Sequence, residues 1–391
     1  MSGAAGPGAN LTALRSHNAA LILRLLRDAG EGGVSRPELA AHTGLTPQAV
    51  SKITARLRTE GLAVEAGQRA STGGKPPAVL RLVPGARHAI GLQLDRDELT
   101  AVLVDLAGTE VAARTAPFDF GARAEEALAA ATAEVRALLA DAGTGLTETG
   151  GATGGATGGA AGGAAGGGLL GGLFGGLLGV GVATPGPLDH GSGVLHRVTG
   201  FPQWDGFPLR DALAERLALP VVLDKDTNAA ALGLVTTGTA ASAAYLHLGT
   251  GLGAGLMLGG EVYRGARTDA GEFGHQVIQL DGPPCECGNR GCLEALCLAA
   301  VARDDHTDAA RLLGVGAANL VRLLDIDRVL LGGRVVLADP EPYVHGVATM
   351  IAEDSARASR LPVPVDVVQR GGRAVVEGAA RLVLAPLFAL G

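Results

Sequence analysis

The 391-residue chain has only four cysteines, and its start lacks the basic-then-apolar pattern of a secretory leader, since Met1 to Gly8 is small-residue filler. A disulfide framework is therefore not expected, and a cytoplasmic, reducing compartment is. Charge is missing altogether from residues 149–176, where Gly-Gly-Ala-Thr repeats run into Gly168-Leu169-Leu170-Gly171-Gly172-Leu173-Phe174-Gly175-Gly176. Gly171, Gly175 and Gly179 have the small-residue spacing of packed membrane helices. The apolar part is nonetheless shorter than the roughly 20 residues a bilayer requires, and no basic flank anchors it, which argues against a membrane partner. Glycine at this density also disfavours any packed element, by about 1 kcal/mol per residue in a helix relative to alanine. The stretch reads as a flexible insertion.

What is present is long enough for two or three domains with cores of their own. The net charge of −7 hides an asymmetry, because residues 1–84 carry ten Lys/Arg against five Asp/Glu while the remainder is net −12. A basic head on an acidic body points to a polyanion as the head's partner. From Asn18, residues Leu21, Ile22, Leu25 and Leu26 mark one face of a helix that Gly30 stops. Ser35-Arg36-Pro37-Glu38 is a capping box with proline in the first turn of a second helix, and Thr43-Gly44 makes the turn that follows. Thr46-Pro47 then caps a third helix over residues 48–59. Two short helices joined by a glycine-containing turn form a helix-turn-helix, whose second helix enters the major groove. On that helix Val50, Ile53 and Leu57 face inward. Gln48 and Ser51 are candidate base readers, and Lys52 and Arg56 candidate phosphate contacts. Strands at 62–65 and 78–82 bracket a wing, residues 67–77, that bears Arg69 and Lys75. A plain three-helix bundle is the alternative. Capping box, turn glycine, wing and charge agree in favouring a double-stranded DNA operator.

Ten residues beyond Glu272-Phe273-Gly274-His275 comes Cys285-Glu286-Cys287-Gly288-Asn289-Arg290-Gly291-Cys292-Leu293-Glu294. One imidazole, His275, and three thiolates, Cys285, Cys287 and Cys292, make the soft set that closes a tetrahedral zinc site and leaves no open coordination position. The expected Zn2+ is structural, one per subunit, with Cys297 a bystander. A disulfide or inert core cysteines are the alternatives, but cysteines separated by one residue bridge poorly. Glu272 and Glu294 flank the ligands, and a rigid knuckle would aim both into one cleft as acceptors for hydroxyl groups.

Beyond the head, strands at 88–94 and 100–105 turn at Arg96-Asp97, and a helix near 125–140, a strand at 177–182, a helix at 209–217 and a strand at 221–223 follow. Such alternation predicts an α/β body. Residues 245–248 then run into Gly249-Thr250-Gly251-Leu252-Gly253-Ala254-Gly255, a glycine turn able to bring backbone amides to a phosphate. The knuckle with Glu272 and Glu294, the Thr184-Pro185-Gly186-Pro187 turn, Trp204 before Pro208-Leu209, and Asp226-Thr227-Asn228-Ala229-Ala230-Ala231 together resemble the ROK family of repressors and sugar kinases. The resemblance covers nearly the whole chain from about Asn18, apart from the glycine insertion. It implies a winged helix-turn-helix over residues 1–84, then a two-lobed actin-like (ribonuclease-H-like) domain over 85–391 that holds a sugar and forms a homodimer or higher homo-oligomer. By the same resemblance Glu272, His275 and Glu294 grip sugar hydroxyls, His275 being shared with the zinc, and Asp226 stands at the kinases' general base. The residue before it is usually asparagine in sugar binders. Here it is Lys225, a compact cation that suggests a sugar phosphate or acidic sugar as effector, or else a solvated lysine on an idle cleft.

Kinases of the family carry Asp-x-Gly-Gly-Thr after their first strand, where this chain has Asp95-Arg96-Asp97-Glu98-Leu99-Thr100. Two lost glycines and two gained carboxylates oppose a triphosphate in that position. The helical section after Glu294 is also shorter than in the kinases, with only residues 299–308 ahead of a helix at 309–324 and a strand at 328–333. The expectation is a repressor-type regulator whose kinase-like domain is inactive, Asp226 being vestigial. An ATP-dependent sugar kinase with an appended DNA-binding head is the alternative.

Overall fold

A computed structural model describes residues 11–68, 77–149, 176–235, 241–368 and 371–388. The wing residues Arg69 and Lys75, and residues 150–175 of the glycine insertion, lie outside the described residues.

The head consists of α1 (Leu11–Asp28), β1 (Val34–Ser35), α2 (Arg36–Thr43), α3 (Pro47–Thr59), β2 (Ala63–Gln68) and β3 (Ala78–Leu82). The first helix starts seven residues before Asn18, and it is Ala19, Ile22, Leu23 and Leu26 that are buried. Ser35 and Glu38 form the reciprocal capping box, with Glu38 Oε2 accepting from the Ser35 amide at 2.8 Å. Gly44, at φ +68°, ends α2 in the left-handed conformation that glycine adopts without strain, and Thr46 caps α3. The sheet has the order β1-β3-β2, so β1 supplies a third strand that residues 34–35 are too short to announce in sequence.

The body repeats one topology twice. Its first lobe uses β4 (His88–Leu94), β5 (Glu98–Asp105), β6 (Glu110–Pro117), β7 (Leu177–Thr184) and β10 (Val221–Lys225), with the short pair β8 (Leu188–Asp189) and β9 (Val194–Leu195) standing apart. Its second lobe uses β11 (Ala243–Leu248), β12 (Leu252–Leu258), β13 (Glu261–Val262), β14 (Arg328–Gly332) and β15 (Val365–Val367). In each lobe three antiparallel strands lead into two parallel ones, in the orders β6-β5-β4-β7-β10 and β13-β12-β11-β14-β15. Helices α4 (Ala124–Thr149) and α5 (Leu209–Leu217) cover the first sheet around Ile90, Val135, Leu138 and Trp204. Helices α7 (Leu293–Ala302), α8 (His306–Leu324) and α10 (Pro340–Arg357) cover the second around Leu246, Leu313, Leu331 and Tyr343, and the short α9 (Arg334–Ala338) follows β14. The glycine run is confined to a tighter turn than the sequence suggested: Gly253 and Gly255 lie inside β12, paired with β11. The interval 299–308 likewise contains the end of α7 and the start of α8 rather than a separate segment.

Between the lobes run α6 (Asp226–Val235) and α11 (Ala374–Leu384). They meet backbone to backbone, since a Cβ built at Gly378 would lie 1.8 Å from the Ala229 carbonyl oxygen. The head is not a separate bead. Ile22, Leu26, Leu39, Val50, Leu57 and Leu80 share one apolar core with Ala89, Val102, Val376, Ala380 and Phe388 of the body, and the Arg27 guanidinium lies 4.6 Å over the Phe388 ring. Through α11 and the 3-10 turn Ala385–Phe388, the interlobe helices are joined to α1.

Candidate nucleic-acid interface and ligand cleft

Along α3 the inward set is Val50, Thr54 and Leu57, fully buried, with Ile53 half-buried. Gln48, Ser51, Lys52 and Arg56 are all exposed on the opposite side. Arg56 makes only a loose pair with Glu60 at 3.6 Å. Gln48, Ser51 and Lys52 have no side-chain partner among the described residues. By contrast Arg36 and Arg58 are held by Glu65, at 2.8 and 3.1 Å, and hydrogen bonding from Arg36 keeps the Glu65 carboxyl below the usual carboxylate range. The unpaired donors are therefore concentrated on the face expected to meet DNA.

In the body, His275 Nδ1 lies 3.8 Å from Cys285 Sγ, Cys287 Sγ lies 3.7 Å from Cys292 Sγ, and the four ligand atoms fall within 4.8 Å of one another. A tetrahedron with zinc–sulfur bonds of about 2.3 Å has edges of about 3.8 Å, so donor set and spacing both fit that ion. His275 ends the 3-10 turn Phe273–His275, and Cys292 precedes α7, so the cluster ties the hairpin side of the second lobe to its first covering helix. Burial pushes the Cys292 thiol up to about 12, an effect that a dication bound to the thiolate reverses. Cys297 stands apart, buried and directed at the Ala309 carbonyl at 3.7 Å.

Glu272, His275 and Glu294 line one cavity of about 110 Å³ with Lys225 and Asp226. It continues past Thr199, Glu272 and His275 into an outer hollow of about 550 Å³. Gly271, at φ +89°, admits the approach, since a Cβ there would lie 2.0 Å from the Ala254 carbonyl oxygen. Glu294 Oε2 accepts from the Leu252 amide at 2.8 Å, which fixes the carboxylate against β12. His275 turns Nδ1 to the cysteine cluster and also borders the cleft. Asp226 opens α6 and accepts from the Thr227 amide at 2.6 Å; burial pushes its carboxyl up, opposed by nearby His247. A larger hollow of about 1130 Å³ lies at the β14–β15 edge, lined by residues such as Leu330, Val344 and Val365. The smaller cavity is the one that Glu272, His275 and Glu294 share.

Lys225 corrects the expectation from sequence. It is not a solvated lysine: only 3% exposed, it borders the cavity while donating from Nζ to the Ala270 carbonyl at 2.6 Å and to Glu272 Oε1 at 3.0 Å. Sequence reasoning also missed what lies beneath and around it. Asp224, fully buried, accepts from Arg264 Nε and Asn228 Nδ2, each at 2.8 Å, and so anchors the β10–α6 junction. Asp95, Arg96, Thr199 and His247 line the same cavity. Asp95, Arg96 and His247 belonged to segments the sequence had marked, but none was singled out for the cleft, and Thr199 carried no signal.

On the neighbouring face, Asp95, Asp97 and Glu98 border a hollow of about 500 Å³ with Gly333 and Arg334. Asp97 is bound to Arg334 at 2.8 Å, a contact between the β4–β5 turn of one lobe and the start of α9 in the other. The carboxylate at a lost glycine position thus occupies a cation facing this hollow.

Residues 171–303 match the ROK family. The xylose repressor of Caldicellulosiruptor bescii is 26% identical over 423 residues, covering 97% of this chain and 98% of its own. Among solved structures, a ROK family transcriptional regulator described as a homologue of the E. coli MLC protein superposes with TM-score 0.72 at 21% identity, over 96% of this chain and 97% of that one, and has the same fold. The ROK hexokinase from Thermus thermophilus, at 28% identity and TM-score 0.58, covers 96% of its own length but 75% of this chain. Residues 171–303 thus carry a ROK family domain, in a chain that has the head, duplicated lobes, His/Cys cluster and carboxylate cleft all in place.

Proposed function

We propose that this protein is a DNA-binding transcriptional repressor whose body senses a sugar or sugar derivative in a cleft stiffened by one structural zinc. The observation that carries the reading is the combination, on one chain, of an α3 with exposed Gln48, Ser51, Lys52 and Arg56 and a cleft in which Glu272, His275 and Glu294 converge. A relative named a xylose repressor, aligned along nearly its full length, supports the same reading. His275, Cys285, Cys287 and Cys292 would hold the zinc, which supplies rigidity and no catalysis because all four positions are taken by protein. Arg69 and Lys75 would add wing contacts to phosphates. The protein works in the cytoplasm as a homodimer, reading two half-sites about one helical turn apart, roughly 34–36 Å. Among the described residues no helix is long and apolar enough to cross a membrane.

The kinase-like body is read as inactive. Phosphoryl transfer needs groups that cradle and neutralise the nucleotide phosphates. Here the loop offers Asp97 and Glu98, and Arg334 is spent on Asp97. Asp226 alone, with its carboxyl pushed up by burial, does not make a kinase. The persistence of Asp226 beside the cleft is the one observation favouring the second reading, a sugar kinase with a DNA-binding head. Selection of DNA from a random library by the full chain, together with an assay for sugar-dependent ADP release, separates the two. Sequence-specific binding without turnover is expected. ADP release that depends on a hexose and is abolished in Asp226→Asn would replace the repressor reading with the kinase one.

A further inference from the structure

The cleft contains two cations, and they are not equivalent. Lys225 is buried and already donates to Ala270 and Glu272. Arg96, half-buried in the β4–β5 turn, uses its backbone amide on Asp95 Oδ1 at 2.7 Å and its carbonyl on the Phe120 amide at 3.0 Å, so its main chain is fixed. Its guanidinium stacks 5.4 Å from the Phe201 ring centroid and has no hydrogen-bond or ion-pair partner among the described residues. A side chain built at Gly251 would meet Arg96 Nη2 at 3.8 Å and Glu294 Oε2 at 3.1 Å, so the guanidinium reaches the same corner of the cavity as the carboxylate that would hold a hydroxyl. A guanidinium with five donors in a rigid fork, held over an aromatic ring and left without a hydrogen-bond or ion-pair partner, is the arrangement that takes a carboxylate or phosphoryl group in two parallel bonds. None of the cavity's acidic residues occupies the guanidinium: Asp95 accepts from the Arg96 backbone amide, Glu272 pairs with Lys225, Glu294 accepts from the Leu252 amide, and the Asp226 carboxyl is shifted toward its neutral form.

We infer that Arg96 is the anion reader of the cleft, and that the ligand is a sugar bearing a carboxylate or a phosphoryl group. This rests on the sugar-sensing reading above. It moves the anion recognition expected at Lys225, at the end of β10, to a residue in the β4–β5 turn of the same lobe. The sugar ring lies against Glu272, His275 and Glu294, and its anionic substituent points toward Phe201 and the Gly251 turn. Arg96 thereby sets specificity between a sugar and its acidic derivative.

The test is calorimetry on the full zinc-loaded chain with glucose, galactose, mannose, xylose and N-acetylglucosamine, each beside its uronic or aldonic acid and its terminal phosphate. At least one anionic derivative should bind 10-fold or more tightly than its neutral parent, and the acid and phosphate arms tell which anion is read. Arg96→Gln, checked for folding by circular dichroism, should bring the pair within about 2-fold. Arg96→Lys, which keeps charge without the fork, should retain part of the margin and serves if the glutamine variant does not fold. Neutral parents that bind as tightly as their derivatives would overturn the inference while leaving the sugar-sensing reading intact. So would a preference that survives Arg96→Gln but disappears in Arg197→Gln, at the outer mouth. No binding by any member would overturn both.

Discussion

The reading helix and the ligand cleft solve opposite problems. On α3 Gln48, Ser51 and Lys52 are exposed and unpaired, and Arg56 is held only loosely by Glu60, so DNA phosphates and base edges can be met at little cost. In the cleft almost every polar group is already bonded, Lys225 to Glu272, Glu294 to the Leu252 amide and Asp224 to Arg264, so a ligand must fit a fixed frame. An open charged face gives affinity and rapid capture of a polyanion, whereas a satisfied polar frame gives selectivity among small molecules. The two are mechanically connected, because α11 packs on α6, which begins at Asp226, and leads to the Phe388 turn that holds α1.

The sharpest way to break the contrast is to remove the brace of the cleft. Purified protein should contain about one zinc per chain, and Cys287→Ser should lose it, with a fall in thermal midpoint on the order of 10 °C and loss of ligand binding, while DNA binding at low temperature persists. Full metal retention in Cys287→Ser, measured by elemental analysis, would remove that residue from the ligand set.

Next in size is the Lys225–Glu272 pair. Glu272→Ala leaves a buried ammonium with one acceptor, whereas Lys225→Met leaves a carboxylate that is 41% exposed and can be solvated. Denaturant unfolding should therefore show Glu272→Ala losing about 1–3 kcal/mol, discounted for that exposure, Lys225→Met near neutral, and the double variant recovering most of the loss. Equal effects of the two single variants would mean that the pair is not what fixes Glu272.

On the head, Lys52→Ala or Arg56→Ala should weaken binding to specific and non-specific DNA alike and make the logarithmic salt dependence shallower by about one contact. Gln48→Ala should instead relax the preference at one base position. Anisotropy titrations at several salt concentrations distinguish these, and a sequence-selective effect of Lys52→Ala would reverse the assignment.

The smallest effect concerns Asp226. Burial pushes its carboxyl above the ordinary carboxylate range, so the folded state binds the proton more tightly than the unfolded one. That contribution favours folding most below the unfolded value and is lost as pH rises through the folded one. Asp226→Asn, which can still cap α6, should raise the thermal midpoint by about 1–3 °C at pH 7 and by progressively less on acidification. A gain that grows toward acid pH would mean that the carboxylate is stabilised rather than strained.

Legibility in the sequence divides along the same line. Capping box, turn glycine and apolar spacing are local, so α2, α3 and the orientation of Gln48, Ser51, Lys52 and Arg56 could be read from a short window. The His/Cys cluster was readable because its chemistry is compact in sequence. The pairing of Lys225 was not legible because its partner Glu272 is 47 residues away, and no pattern in residues 221–226 shows that its stem is buried. Arg96 was passed over for the same reason, since it was seen as part of a degenerate phosphate loop while its role depends on Phe201 and Gly251. The shared core between head and body was equally hidden, because Phe388 meets Arg27 from the other end of the chain.

The most direct test of ligand-controlled DNA binding is an anisotropy titration of the full chain on DNA that it has itself selected, with and without a sugar shown by calorimetry to occupy the cleft. A ligand shifts the population only if it binds the DNA-competent and DNA-incompetent arrangements unequally. The expected result is a change in DNA affinity of roughly 5- to 150-fold, a coupling of about 1–3 kcal/mol, that is absent in Glu272→Ala because the ligand no longer binds. Identical DNA affinity with the cleft empty and saturated would contradict the coupling of cleft to head.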